Sequence, residues 1–261
     1  MEWDGKRVIL TGAAGGIGTI LTRLLTERAA NCALIDADAA ALDALSRALP
    51  NAVAVPADLS GNNGCHEAAQ QAINALGGVD VLINLAGLMS FCTYESEDIG
   101  RLERLIHVNL LAPMLLVRAA LPAMLQQNEG QIVNVGSMFG SIGFAYFAAY
   151  SASKFGLRGF SEALRRELAD TNVSVTYVSP RAVKTPINTS VIMQMNAATK
   201  TIIDEPGVAA AKILQAIESG RKEAYLGFPE SLFARLNGIW PALIDIGTRA
   251  QNRVARPFAE R

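Results

Sequence analysis

The sequence has few of the residues that build metal centres or disulfide frameworks. Its 261 residues include three cysteines and two histidines, and Cys32, Cys65 and Cys92 form no Cys-x-x-Cys pair. Zinc sites need clustered cysteine and histidine ligands, so we expect no zinc and no other metal site. An odd number of scattered cysteines favours a reducing compartment, and we expect a cytoplasmic protein.

An excess of charge of one sign and long hydrophobic runs are also lacking. Lysine and arginine number 23 against 24 acidic residues, which gives no electrostatic case for nucleic-acid binding. The most apolar stretch, residues 108–125, is interrupted by Arg118 and two prolines. The N-terminal residues show no cleavage signal. We therefore expect neither a membrane-spanning helix nor a secretory leader.

Short apolar runs alternate with helical segments along most of the chain. The runs are almost continuously apolar, which is typical of parallel strands covered on both faces. The alternation predicts an α/β fold: a doubly wound parallel sheet with helices on both faces. The predicted strands are 7–12, 31–38, 52–59, 79–87, 130–137 and 173–180, and the predicted helices are 17–29, 40–49, 66–77, 102–125 and 150–168.

The first predicted strand runs directly into a glycine-rich turn, TGAAGGIG at residues 11–18. Gly12, Gly16 and Gly18 stand between a strand and a helix. Glycines at this place let the backbone approach a pyrophosphate, and the following helix offers its N-terminal amides. The turn therefore indicates a dinucleotide site, although glycine-rich turns without ligands are common.

An acidic residue, Asp36, ends the second predicted strand. A carboxylate at this distance accepts hydrogen bonds from the adenosine ribose and repels a 2′-phosphate. No lysine or arginine lies within residues 12–18 or just after Asp36, so NAD is favoured over NADP. The alternative is a turn or helix-capping role, for which Asp38 is the better candidate.

Tyr150 and Lys154 lie four residues apart in the segment AAYSASKFG, on one face of a predicted helix. One interpretation is a solvated pair without function. The other is chemical, in which the cation lowers the pKa of the phenol so that it exchanges protons near neutral pH. The pair by itself does not decide between the two.

Together these motifs resemble the short-chain dehydrogenase/reductase family over about residues 5–190. Thr11 to Gly18 is similar to its Thr-Gly-x-x-x-Gly-x-Gly motif, and Tyr150 to Lys154 to its Tyr-x-x-x-Lys motif. The resemblance implies a Rossmann-type fold and a nicotinamide cofactor, and it identifies the catalytic set as Ser137, Tyr150, Lys154 and Asn109. It places the cofactor on Thr11, Gly12, Gly16, Ile17, Gly18, Asp36, Asp58, Leu59, Asn84, Ala86, Gly87, Tyr150, Lys154, Pro180, Val183 and Thr185.

The resemblance also implies a mechanism, a hydride transfer between the cofactor and a carbonyl carbon. Tyr150 would exchange the proton with the carbonyl oxygen, and Ser137 would donate a hydrogen bond to it. Lys154 would stabilise the tyrosinate and bind the nicotinamide ribose, while Asn109 would hold a relay water. Each of these residues alone has a structural alternative, such as capping or packing.

Two positions depart from the family pattern. Leu85 replaces the second asparagine of the family's Asn-Asn-Ala-Gly, and Arg181 replaces the glycine of Pro-Gly. Arg181 has two interpretations: contact with a phosphate or an acidic substrate group, or a solvated side chain.

Apolar residues flank the catalytic set and predict a bulky hydrophobic substrate, acyl-, steroid- or aromatic-like, with a secondary alcohol or ketone. Residues 187–205 fall where the family has a mobile lid, and ordinary packing is the alternative. The predicted substrate pocket contains Leu88, Met89, Met138, Phe139, Phe144, Tyr146, Ile187 and Val191.

The apolar surface of the 102–125 helix predicts a homo-oligomer, a dimer or tetramer. Residues 230–261 extend a single domain that covers 1–261. Their apolar stripe and trailing arginines, which include Arg261, fit a membrane surface, the substrate entrance or a neighbouring subunit. An NAD-dependent oxidoreductase is the favoured function. A catalytically idle NAD sensor and a membrane-surface protein of the same fold are the alternatives.

Overall fold

Seven parallel strands form one sheet in the computed structural model, which describes residues 1–260. In chain order they are β1 (Arg7–Thr11), β2 (Asn31–Asp36), β3 (Ala52–Pro56), β4 (Val81–Asn84), β5 (Gly130–Val135), β6 (Val173–Pro180) and β7 (Glu223–Leu226). Their order across the sheet is β3-β2-β1-β4-β5-β6-β7. The predicted doubly wound parallel sheet is confirmed. The sequence had indicated six of these strands, and β7 had not been predicted.

Helices connect the strands and cover both faces of the sheet. They are α1 (Gly16–Thr26), α2 (Ala39–Arg47), α3 (Asn62–Leu76), α4 (Ile99–Ile106), α5 (Ala112–Gln126), α6 (Ala148–Glu167), α7 (Ser190–Ala198), α8 (Pro206–Glu218), α9 (Glu230–Ile239) and α10 (Pro241–Ala259). A π-helical turn, His107–Leu111, joins α4 to α5, so the predicted helix 102–125 is a continuous helical segment of residues 99–126.

Alternate residues of each strand enter opposite halves of the hydrophobic core, because successive side chains of a strand point to opposite faces. In β1, Val8 and Leu10 pack in the core beneath α1, α2 and α8. Ile9 packs in the other core, beneath α3 and α5. All three are buried. This two-sided burial explains why the strands are apolar at every position rather than at every second one.

The helical segment 99–126 is long and apolar enough, by length and composition alone, to cross a membrane. The mean hydropathy of its most apolar 18-residue window is 1.7. In the fold this segment covers the sheet. Leu116, Val117 and Ala120, on α5, pack in the core between the sheet and the helices α3 and α5. Core helices of this kind often pass such a test, so the segment is weak evidence for a span.

The C-terminal residues form a helical hairpin outside the sheet. α9 ends before Trp240, and Pro241 starts α10, since proline is well tolerated in the first turn of a helix. Ala234 packs against Met138 and Ile142, with Ile244 beside them. The opposite side leaves large apolar residues exposed: Phe228, Leu232, Phe233, Ile239, Trp240, Leu243 and Ile246.

Candidate active site

The glycine-rich turn lies at the carboxyl ends of β1 and β4, where the strand order of the sheet reverses. Gly12 has a φ of +68°, and a Cβ atom there would come within 2.9 Å of the Cα of Ala86. A Cβ on Gly18 would lie 2.0 Å from the carbonyl oxygen of Gly12. Any side chain at these positions would therefore push the turn away from the strand and helix it joins.

Thr11 fixes the turn after β4 from the inside. Its Oγ1 accepts hydrogen bonds from the backbone N–H groups of Leu85 and Ala86, both at 3.0 Å. Since these bonds use backbone atoms, Leu85 replaces the family's asparagine without disturbing them. Thr11 is itself buried and does not line the cleft, so its predicted cofactor contact is corrected to support of the turn.

A cleft of about 600 Å³ opens at this edge of the sheet. The cleft is suited to a dinucleotide. The glycine turn forms one wall, and its backbone is open to a pyrophosphate because no Cβ atom covers it. Among the predicted cofactor residues it is lined by Gly12, Gly16, Ile17, Gly18, Asp36, Asp58, Leu59, Ala86, Gly87 and Thr185. Leu88, predicted for the substrate pocket, lines this cleft instead.

Asp36 ends β2 on the rim of this cleft. Its carboxylate accepts hydrogen bonds from the backbone N–H of Ala14, at 2.9 Å, and of Asp38, at 3.1 Å. Asp38 caps α2 by accepting from Ala41 N, the role for which it had been the better candidate. Each oxygen of Asp36 retains a lone pair for a further donor, so this carboxylate both supports the turn and faces the cleft.

Asp58 and Leu59 line the cleft after β3, next to the end of β2. Asp58 accepts a hydrogen bond from Ser60 N, and this bond, with a smaller contribution from the charges of Arg104 and His107, lowers the pKa of the Asp58 carboxyl. The carbonyl oxygen of Leu59 lies 2.9 Å from His107 Nδ1. Because His107 begins the π-helical turn, this contact ties the turn to the cleft.

A smaller cavity of about 130 Å³ continues from the cleft toward α6. The two share Ile17, Leu85, Gly87, Thr185 and Ile187 as walls. Ser137, Tyr150 and Lys154 line the smaller cavity together, and all three side chains are nearly inaccessible to solvent. The ammonium Nζ of Lys154 lies 5.8 Å from the centre of the Tyr150 ring. The spacing of four residues along α6 thus brings the phenol and the amine to one cavity.

Burial controls the protonation of both groups. It raises the pKa of Tyr150 to about 12, opposed by a hydrogen bond with Ser137, and it lowers the pKa of Lys154 to about 8. The expectation that Lys154 brings the pKa of Tyr150 down is therefore wrong for the protein by itself. Desolvation disfavours the charged form of each side chain.

Asn109 occupies the π-helical turn between α4 and α5, a kind of irregularity that is frequent at functional sites. Its Oδ1 accepts from Leu88 N at 2.7 Å, and its Nδ2 donates to Leu88 O at 2.8 Å and to Ser153 Oγ at 3.0 Å. The side chain thereby joins the loop after β4 to α6. A Cβ on Gly87 would lie 3.3 Å from Asn109 Oδ1 and 3.6 Å from Lys154 Nζ, which places both groups beside Gly87.

Tyr177, on β6, supports Ser137 from beneath and had not been singled out in the sequence. Its hydroxyl donates to the carbonyl oxygen of Ser137 at 3.3 Å. A Cβ on Gly136 would lie 2.1 Å from this hydroxyl, and one on Gly140 2.3 Å from it. The two glycines on either side of Ser137 were the available signal, since both leave room for a large buried partner.

Several predicted site residues lie away from the two cavities. Asn84 is buried, donating to Asn134 Oδ1 at 2.8 Å, and Met138 packs in the core near α9. Phe144 and Tyr146 form a second row of rings behind Phe139 and Phe91. Val191 lines a separate cavity, near the end of α10. The direction of each side chain, which the sequence does not give, keeps these residues out of the two cavities.

The catalytic cavity is lined instead by a different apolar set. Met89, Phe139 and Ile187 were predicted and are present, as are the cofactor candidates Pro180, Val183 and Thr185. Ile192 and Asn196 are not predicted, because nothing in the sequence tells which face of α7 points inward, and Phe147, just before α6, is also not predicted. The further lining residues are Val135, Gly136, Arg181, Ala182 and Asn188.

Arg181 fits neither of its two interpretations. Its guanidinium lies 2.5 Å from Asp204, and the Arg181 side chain is 15% exposed, so it is neither solvated nor free to bind an anion.

Residues 6–196 match the model of a protein family that is described as short chain dehydrogenase. A ketoacyl reductase, HetN, from Nostoc sp. is 31% identical over 97% of this chain and 89% of its own length. Carbonyl reductase family member 4 from Xenopus tropicalis is 32% identical over 80% of this chain and 89% of its own.

Two solved structures share the fold. A short-chain dehydrogenase/reductase from Burkholderia phymatum, in complex with NAD, has a TM-score of 0.84 at 24% identity, over 94% of this chain and 96% of its own. A metagenomic short-chain oxidoreductase in complex with NADP has a TM-score of 0.72 at 30% identity, over 87% of this chain and 97% of its own.

Proposed function

Since this chain belongs to the short-chain dehydrogenase/reductase family of oxidoreductases, we propose that it interconverts a secondary alcohol and a ketone on a hydrophobic substrate with NAD(H). Tyr150 is the acid and base of this proposal. The observation that carries it is the convergence of Ser137, Tyr150 and Lys154 on one cavity that opens into the glycine-walled cleft.

A bound nicotinamide cofactor supplies or accepts the hydride. In reduction, the Tyr150 hydroxyl gives its proton to the carbonyl oxygen, and the Ser137 hydroxyl donates a hydrogen bond to the charge that develops there. Lys154, held by a hydrogen bond to Val135 O at 3.3 Å, stabilises the tyrosinate that remains. Asn109 anchors α6 to the loop after β4, and in this role it positions Lys154. In oxidation Tyr150 takes the proton instead.

The preference for NAD rests on Asp36. A ribose 2′-phosphate at the rim of the cleft would meet its carboxylate, and the repulsion would disfavour NADP. The backbone N–H groups that Asp36 binds keep this carboxylate in place. Arg104 also lines the cleft, where its charge contributes to the lowered pKa of the Asp58 carboxyl.

The walls of the catalytic cavity favour an apolar substrate. Met89, Phe139, Phe147, Ile187 and Ile192 surround the catalytic groups, whereas sugars and polyols need several polar partners for their hydroxyl groups. The similarity to relatives named ketoacyl reductase and carbonyl reductase agrees with a ketone or secondary alcohol. The acyl-, steroid- or aromatic-like body of the substrate would leave this small cavity toward α7.

A coupled assay tests the proposal. Wild-type protein is screened for NADH and NADPH oxidation against hydrophobic ketones, and for the reverse reaction against the matching alcohols, with small polyols as controls. We expect turnover with the hydrophobic set and NADH. An idle sensor would bind NADH, as seen in its fluorescence, without turnover of any substrate. Activity restricted to polyols would contradict the proposed substrate class.

A second copy of the chain fits the outer surface of the α5 and α6 layer. Leu111, Met114, Leu125 and Phe155 are large apolar side chains there, each 37–42% exposed. Burial of such residues against their symmetry equivalents would form a homodimer or tetramer. Light scattering of the wild type and of Phe155→Asp tests this: the variant is expected to fall to a smaller species.

The exposed apolar side of the α9–α10 hairpin favours contact with an anionic membrane surface. Ile239 and Trp240, at the junction of the two helices, are 82% and 64% exposed. Arg235, Arg249 and Arg253 are exposed on the same helices, and arginines beside an apolar face attract anionic headgroups. In this proposal the enzyme works at the surface of a membrane rather than across it.

A further inference from the structure

Residues 185–204, which contain α7 and nearly all of the predicted lid 187–205, form a segment whose two ends meet, and this segment is called the lid below. Ile187, Ile192 and Asn196 of this lid line the cavity. At its base, Lys184 N donates to Asp204 O and Asp204 N donates to Ala182 O, both at 2.9 Å. The lid thus leaves the end of β6 and returns to the same place.

Arg181 lies directly beneath this junction. Its guanidinium donates to Asp204 Oδ1 at 2.5 Å, and the side chains of both residues are at least 85% buried. The same guanidinium lies 3.6 Å from Glu230 and 3.5 Å from the carbonyl oxygen of Phe228. One side chain therefore contacts the end of the lid, the segment after β7 and the start of α9.

The chain provides space for this side chain. A Cβ on Gly227 would lie 2.9 Å from Arg181 Cδ and 3.3 Å from its Cγ. The aliphatic part of Arg181 therefore passes across a residue without a side chain. Gly227 has a φ of +125°, a region that favours glycine. This chain therefore has Arg181 where the family has the glycine after Pro180, and it has a glycine at position 227, against which Arg181 packs.

The charges around Arg181 are balanced without a ligand. Lys212 Nζ lies 3.7 Å from Asp204 Oδ2, so two cations, Arg181 and Lys212, face two carboxylates, Asp204 and Glu230. The hydrogen bond to Arg181 holds the pKa of Asp204 below its usual range. An acidic substrate would have to displace one of these carboxylates before it could bind Arg181.

We propose that Arg181 is a positioning residue. Its contacts with Asp204 and Glu230, called the clasp below, join the base of the lid to the C-terminal hairpin. They thereby keep Ile187, Ile192 and Asn196 over the catalytic cavity. The inference rests on the proposed function, in which that cavity holds the substrate. Ser137 follows β5, and Tyr150 and Lys154 lie on α6, so all three are outside the lid.

Loss of the clasp therefore raises KM and leaves kcat nearly unchanged. For Arg181→Ala we expect an increase of about tenfold in the substrate KM, in the range seen when residues outside a site modulate it. Asp204→Asn removes the same ion pair from the other side, and the double variant is expected to add little to either single one. Arg181→Lys restores part of the effect, because lysine supplies the charge without the planar fork.

Arg165→Ala is the matched control. Arg165 forms a half-buried ion pair with Glu223 at 3.5 Å, at the opposite end of β7 and away from the lid. The Arg165→Ala variant should have lower thermal stability than the wild type and an unchanged KM. Hydrogen exchange provides a second measurement that needs no substrate: amides of residues 186–205 are expected to exchange faster in Arg181→Ala and Asp204→Asn, but not in Arg165→Ala.

Two results would overturn the clasp. One is unchanged exchange in the lid of both variants. The other is a rise in KM confined to acidic substrates, which would make Arg181 a substrate contact. Absence of turnover in the wild type would reject the proposed function instead, while the exchange measurement would still decide the clasp. If Arg181→Ala does not fold, Arg181→Lys and Asp204→Asn supply the same comparison.

Discussion

The hydroxyl of Tyr177, on β6, donates a hydrogen bond of 3.3 Å to the carbonyl oxygen of Ser137, in the turn that follows β5. Both residues are buried, so this bond sets the height of the Ser137 backbone above the sheet. A phenol thus holds the residue that is proposed to bind the carbonyl oxygen of the substrate.

Replacement of Tyr177 by phenylalanine tests this support. The variant leaves a buried carbonyl without its donor, which costs about 1–3 kcal/mol, and we expect kcat to fall by up to about tenfold with substrate KM little changed. Chemical denaturation and steady-state kinetics measure the two effects. Tyr225→Phe is the control, because its hydroxyl contacts Ser141 and Glu223 rather than Ser137, and its kcat should stay at the wild-type value.

Tyr150→Phe should abolish turnover and preserve the cofactor site. Loss of a general acid or base lowers rates by about 10²- to 10⁴-fold, whereas the phenol oxygen is one contact among many in the cleft. Titration of NADH fluorescence is expected to give a Kd within about twofold of the wild type. Substantial activity in this variant would reject Tyr150 as the acid and base.

The buried ammonium of Lys154 predicts an unusual pH dependence of stability. Its pKa is about 8 in the folded chain and near 10.4 in an unfolded one. Between these values the unfolded state binds more protons, so the free energy of unfolding should rise with pH, by about 3 kcal/mol at most. Below pH 8 the contribution is constant and unfavourable.

Lys154→Met removes this contribution. Urea denaturation of wild type and variant from pH 7 to 10 should show the variant more stable at pH 7, with the difference shrinking as the pH rises. Equal slopes for the two proteins would show that Lys154 titrates as an ordinary exposed lysine. The comparison cancels the titration of every other lysine in the chain.

Asp36→Asn should shift the cofactor preference. The amide retains an acceptor for Ala14 N but no longer repels a 2′-phosphate, so the ratio of NAD to NADP affinity is expected to fall by about tenfold. Asp58→Asn, in the same cleft but after the neighbouring strand β3, should weaken both dinucleotides alike. Affinities from NADH and NADPH fluorescence decide it, and an unchanged ratio in Asp36→Asn would remove Asp36 as the discriminating residue.

The hairpin should bind anionic vesicles. We expect the wild type to co-sediment with phosphatidylserine-containing liposomes, less so at high salt. The double variant Ile239→Asp with Trp240→Ala should lose at least about tenfold in affinity. Ile99→Asp is the matched control, since Ile99 is 72% exposed on α4 but outside the hairpin. A fall in oligomer size in the hairpin variant would instead assign this surface to a second copy of the chain.

The sequence predicts six of the seven strands, because most of their residues are apolar and turn residues bound them. β7 was missed, since its four residues include Glu223 and only Ala224 is buried. The 3.6-residue period placed Tyr150 and Lys154 on one face of α6. The same period does not predict the π-helical turn that contains Asn109, nor the side of α7 on which Ile192 faces the cavity.

Other site properties depend on contacts between distant parts of the chain. The pKa of Tyr150 follows its burial, which no local pattern around residues 148–156 discloses. Arg181 looked like a free cation because its partners, Asp204 and Glu230, lie 23 and 49 positions further along. Met138 looked like a pocket residue until α9, at Ala234, covered it.

The meeting of the lid's ends at residues 182–184 and 204 makes the loop between them a removable module. A shorter or longer insert could span the same two anchor points without altering the register of any strand. Ser137, Tyr150 and Lys154 lie outside this segment, so a library confined to residues 186–203 would vary one part of the cavity wall on an unchanged set of these three residues.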